Sequence, residues 1–123
     1  MSITYHTQLS EILQVSLEER IGQQLRRMNI PGKLKGHRYL GDAIKQVTDD
    51  PQRLDYITKG LYLDIAKQYG TTGGKVERAM RHAIKRCWEK GGRGALEEMI
   101  GFQLQRRPTN SEFIDLAANH FRS

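Results

Sequence analysis

Lys75, Arg78, Arg81, His82, Lys85 and Arg86 fall on one side of a helix read at about 100° per residue. Val76, Ala79, Met80, Ala83, Ile84 and Cys87 fall on the other. Long cationic side chains on a single helical face have one obvious chemistry: they donate to the oxygens of a polyanion, phosphate above all. Near the start of such a helix a long cation can also reach guanine O6 and N7, and a carboxylate such as Glu77 can accept from cytosine N4. From Thr71 to Arg93 there are seven Lys/Arg and two Glu, a net +5 of the +6 carried by the whole chain, so charges elsewhere nearly cancel. A charge run alone commonly marks only a solvated face, and Glu77 alone is explained by an intrahelical pair with Arg81 four residues on. The residues that precede the run argue for more.

Those residues have the spacing of a helix-turn-helix. Ala66 supplies a small side chain where two steeply crossing helices approach, and Gly70 supplies a turn position that tolerates positive φ. Val76 supplies the apolar pin that seats the second helix on the first, and Thr71 or Thr72 can cap the second helix. The expected motif therefore runs from Leu61 to Lys90, apolar toward its own domain and cationic toward a partner.

The rest of the chain must hold that motif. A length of 123 residues with 37% hydrophobic and 28% charged residues predicts one globular domain with a modest core. No window approaches an apolar run of about 20 residues, and no signal-peptide pattern is present, so membrane association is not expected and a cytoplasmic, nucleoid location is. The single cysteine, Cys87, lies on the apolar face and reads as a buried thiol. Met1 to Ser16 read as an N-terminal extension or linker remnant, with Leu9, Ile12 and Leu13 marking a short amphipathic helix.

Residues 17–123 read as the domain. Leu17, Ile21, Leu25 and Met28 mark a helix with Ser16 as N-cap, ended by Asn29-Ile30-Pro31-Gly32. The segment from Gly32 to Arg38 reads as a basic loop whose Lys33, Lys35, His37 and Arg38 either approach a phosphate backbone or simply face solvent. Tyr39, Leu40, Ala43, Ile44 and Val47 mark a second helix closed by Asp49-Asp50-Pro51. Leu54 to Gly60 are either the opening turns of the motif's first helix or a short separate one. After the basic helix, Gly91 to Gly94 form a break, a short helix spans Ala95 to Phe102, and Thr109 or Asn110 caps a last helix bearing Phe113, Ile114, Leu116, Ala117 and Phe121. The fold class is all-α, with about six helices and no strand pattern.

Enzymatic chemistry finds little footing. The four histidines (His6, His37, His82, His120) are scattered, and one cysteine builds no zinc finger. Gly70 to Lys75 reads GTTGGK, but Val76 follows the lysine where a phosphate loop needs Ser or Thr, and no strand precedes it. No cofactor or metal is expected.

The stretches IPGKLKGHRYLGDAI, ITKGLYLDIAKQYGTTGGKVERAMRHAIKRCW and RPTNSEFIDLAA resemble the DNA-binding effector domain of the master sporulation response regulator of endospore-forming Firmicutes, stage-zero sporulation protein A. That resemblance spans roughly Leu17 to Arg122. It implies a six-helix fold in which the third and fourth helices form the helix-turn-helix. It further implies binding to promoter boxes resembling TGTCGAA as tandem homodimers, dimer contacts from the last helix (Phe113, Ile114, Phe121), and a sigma-factor contact after the basic helix. By position, Lys75, Glu77 and Arg78 would face bases, with Thr72 and Gly74 beside them, and Arg81, His82, Lys85 and Arg86 would lie nearer the backbone.

The chain departs from the family at Gly73-Gly74-Lys75, where Ala-Ser-Arg is usual. It departs again over Gly91 to Glu98. The expectation is either a domain without a receiver, which predicts DNA binding uncoupled from a phosphorelay, or a fragment of a longer receiver-containing protein. Lysine is a point donor and not a planar fork, which weakens guanine discrimination. The alternative reading is an interaction module that has lost specific DNA reading and heterodimerises with a full-length regulator. A non-specific nucleic-acid binder is a third.

Overall fold

The computed structural model describes residues 16–123; the extension and its expected short helix lie outside the described residues apart from Ser16. Among the described residues there are six α-helices: α1 (Leu17–Arg27), α2 (Lys35–Asp49), α3 (Tyr62–Tyr69), α4 (Gly73–Glu89), α5 (Arg93–Ile100) and α6 (Asn110–Arg122). Among the described residues there is no strand, and no helix is long and apolar enough to cross a membrane.

The caps explain where the helices begin and end. The Ser16 hydroxyl accepts from the Glu19 N–H at 3.1 Å, satisfying a donor that α1 itself cannot. At the other end Asn29 takes φ 60°, and the chain folds back so that the Ile30 N–H donates to Leu25 O at 2.9 Å. The last helix opens with a reciprocal capping box: the Thr109 hydroxyl accepts from Glu112 N–H, and the Glu112 carboxylate accepts from Thr109 N–H.

Two stretches differ from expectation. The segment Lys35 to Arg38 is not loop but the first turn of α2, and Gly36 marks a helix crossing. A Cβ placed there would lie 2.4 Å from Ala79 O and 2.7 Å from Ala83 Cβ, so α2 touches α4 backbone to backbone. Leu54 to Gly60 are neither opening α-turns nor a separate α-helix. Pro51–Tyr56 form a 3₁₀ helix capped by Asp50, and Ile57–Leu61 form one π turn that runs into α3. A proline at the start suits the tighter coil, and the Tyr62 N–H reaches five residues back to Ile57 O, which closes the π turn.

One continuous core joins all six helices, with Leu40, Ile65, Met80 and Phe113 among its fully buried side chains. Cys87 lies in it as expected, and burial pushes its thiol up to about 11, so it stays protonated at neutral pH. The last helix, however, corrects the dimer expectation for two residues. Phe113 and Ile114 are 0% exposed because they complete the core of this chain, so neither can reach a second subunit. Phe121 is only partly buried, with the Arg20 guanidinium 5.5 Å from its ring centroid.

The α6 cap carries a pH signature. The Arg106 guanidinium, at 2.9 Å, and then the Thr109 N–H hold the Glu112 carboxyl down at about 2. Its folded pKa is depressed, so its contribution is present above the ordinary carboxylate value and is lost as pH falls toward about 2. Thermal melts between pH 5 and about 2 are expected to fall less steeply for Glu112→Gln than for the parent protein.

Candidate nucleic-acid interface

The motif's geometry follows from its turn. Helix α3 ends at Gly70, whose φ of 64° turns the chain. The Thr71 N–H then donates to Ala66 O at 2.9 Å and satisfies a carbonyl at the helix end. Thr72 caps α4, its hydroxyl accepting from Lys75 N–H at 3.2 Å. Of the two threonines the sequence offered, Thr72 is the cap, which gives its hydroxyl a structural partner. Val76 is fully buried, as the pin between the helices requires.

Along α4 the cations divide into a centre and two flanks. Lys75, Arg78 and Lys85 are exposed on the outer face, opposite the buried Val76, Met80, Ala83 and Cys87. On one flank, Lys35 from the start of α2 joins His82 and Arg86 around a cleft of about 250 Å³. Arg86 is also tied down, its Nε donating to Asn29 O at 3.2 Å, which links α4 to the end of α1. On the other flank, Glu77 and Arg81 form a pair at 3.0 Å, one turn apart. With both side chains partly exposed, that pair contributes a few tenths of a kcal/mol, roughly, and mainly orients Arg81. Gly74 is exposed, and a Cβ added there would have nothing within 4 Å, so the helix start is bare backbone.

The four residues of the expected basic loop separate. Lys35 joins the flank of α4, and Lys33 is exposed in the turn before α2. Arg38 is exposed on α2 close enough to Tyr69 to act on its phenol. That phenol is raised to about 12 chiefly by burial and by its bond to Asp42, with Arg38 opposing. His37 turns inward instead: its Nδ1 lies 2.9 Å from Ile30 O and its Nε2 is near Gly22 of α1. The backbone carbonyl occupies one ring nitrogen, so the half-buried His37 braces the loop against α1.

One residue of the site has no counterpart in the sequence expectations. Asn110, 8% exposed, donates from its amide to Tyr62 Oη at 3.0 Å and to Glu77 O at 3.1 Å. It therefore joins the first turn of α6 to both helices of the motif. A cap function for Asn110 was the available sequence signal; Thr109 performs it, and Asn110 fixes the orientation of α4.

The family model described as sporulation initiation factor Spo0A C terminal matches residues 21–121. The chain belongs to this family. It is a sporulation-type DNA-binding regulator domain, and that family is one of transcription regulators and not of enzymes. The Spo0A-type domain thus carries its helix-turn-helix at α3 and α4, with the cationic outer face of α4 free of the core.

Proposed function

We propose that this Spo0A-type domain binds double-stranded DNA with the first half of α4 in the major groove. The observation that carries the reading is the outer face of α4. Lys75, Arg78 and Lys85 project from a helix whose opposite side is locked into the core, behind a turn that exposes the helix start. Lys75 and Arg78 read base edges, Arg78 with the planar fork suited to guanine. Thr72 and the bare Gly74 flank them, Glu77 with Arg81 lies to one side, and His82, Lys85 and Arg86 with Lys35 and Lys33 meet phosphates. The favoured sites resemble TGTCGAA and are occupied as tandem homodimers, with Phe121 at the dimer surface and a sigma factor as a further partner after α4.

A fluorescence-anisotropy titration tests this reading. Duplexes carrying a TGTCGAA-type box are expected to bind at least about ten-fold tighter than scrambled ones, about 1.4 kcal/mol. With about five phosphates contacted, log K is expected to fall with log salt at a slope of roughly −4 to −5. Equal affinity for both duplexes would leave non-specific binding, and no binding at low salt would favour the interaction module.

A further inference from the structure

A helix about 10–12 Å across fills a major groove about 12 Å wide, so both of its flanks must meet a phosphate wall. Lys35, His82 and Arg86 serve one wall. The other flank of α4 borders a cleft of about 430 Å³ lined by Thr58, Glu77, Arg81 and Arg107, with the buried Tyr62 and Asn110 also in its wall. We infer that this cleft seats backbone phosphate of the second DNA strand, with Arg107 as its principal cation. The inference rests on the DNA-binding reading above and adds a contact surface to it.

Three observations support the assignment. First, Arg81 is neutralised by Glu77 and Arg106 by Glu112, whereas the Arg107 guanidinium is exposed and forms no ion pair among the described residues. The net charge of the cleft is therefore Arg107's. Second, Thr58 lies in the π turn that opens the motif's first helix. In helix-turn-helix docking that helix crosses the backbone, and a hydroxyl there suits a phosphate oxygen. Third, the Arg107 segment is held in register with α4: two residues on, Thr109 is fixed by the capping box, and Asn110 bonds the backbone of α4 itself at Glu77. The capping box serves the Thr109 and Glu112 amides, which fixes the backbone on which Arg107 is carried.

The test compares the whole protein with Arg107→Ala, Arg107→Lys and, as a charge control, Arg27→Ala on α1, using box-bearing and scrambled duplexes over a salt series. Arg107→Ala is expected to weaken both duplexes equally, by about three- to ten-fold, and to make the salt slope shallower by about 1. Arg107→Lys is expected to keep most of the slope, and Arg27→Ala to leave it near that of the parent. Parent binding intact with an unchanged Arg107→Ala slope would overturn the cleft assignment alone. Equal effects of Arg107→Ala and Arg27→Ala would reduce it to net charge and overturn it too. A parent protein that binds neither duplex would overturn the DNA-binding reading along with it.

Discussion

The Gly36→Ala variant is expected to lose about 3 kcal/mol of folding stability, read from the urea midpoint at unchanged m-value. The added methyl would meet Ala79 O at 2.4 Å and Ala83 Cβ at 2.7 Å, and a backbone carbonyl inside a packed helix has no rotamer into which to retreat. Helix α2 must then lift from α4, which forfeits the contact that seats Lys35 beside His82 and Arg86. Gly74→Ala supplies the contrast. Nothing lies within 4 Å of the new carbon, so relief of glycine's backbone entropy dominates and stability is expected to rise by up to about 1 kcal/mol. The two alanines thus act with opposite signs, although both glycines sit in the first turn of a helix. Equal midpoints for Gly36→Ala and the parent protein would show that the two helices cross less tightly than these distances require.

Asn110→Asp is expected to cost about 3 kcal/mol at neutral pH. The amide donates twice, to Tyr62 Oη and to Glu77 O. A carboxylate can accept from the tyrosine but faces the Glu77 carbonyl with no proton to offer, and it is a charge at a position only 8% exposed. Its folded pKa would be raised, so the deficit is expected to shrink as the pH is lowered toward its protonation and to be largest above it. Urea titrations of the variant at pH 7 and at about pH 4 check both the size and the sign. Because the lost bond anchors α4, box preference is expected to fall in Asn110→Asp even at temperatures where it remains folded. A folded variant with undiminished preference would show that Asn110 serves stability alone.

The motif is legible in the sequence because its logic is local. Gly70 needs positive φ, Val76 needs burial and Thr72 needs a helix to cap, and each requirement is written in residue type and spacing. The features that are not legible are long-range. Gly36 looks like a loop residue until the α4 backbone is placed against it, and a basic residue such as His37 looks solvent-facing until the Ile30 carbonyl is found beside it. Phe113 and Ile114 have the same apolar character whether they fill a core or a dimer seam, and only the packing of α6 decides for the core. The 3₁₀ and π turns before α3 have no distinctive residue pattern beyond Pro51 and its capping Asp50. Asn110 and Arg107 belong to the site because α6 is brought alongside α4, a neighbourhood set by folding across more than 30 residues of sequence.

Whether α4 is the face that reads DNA is decided by amide chemical-shift mapping of the labelled protein titrated with a box-bearing duplex. The outer face of α4 at Lys75, Arg78 and Lys85 is expected to shift most, with Lys35 on one flank and Thr58 with Arg107 on the other, while the outer face of α1 stays still. Shifts confined to α5 and α6, with α4 unmoved at saturating DNA, would contradict the assignment of α4 to the major groove.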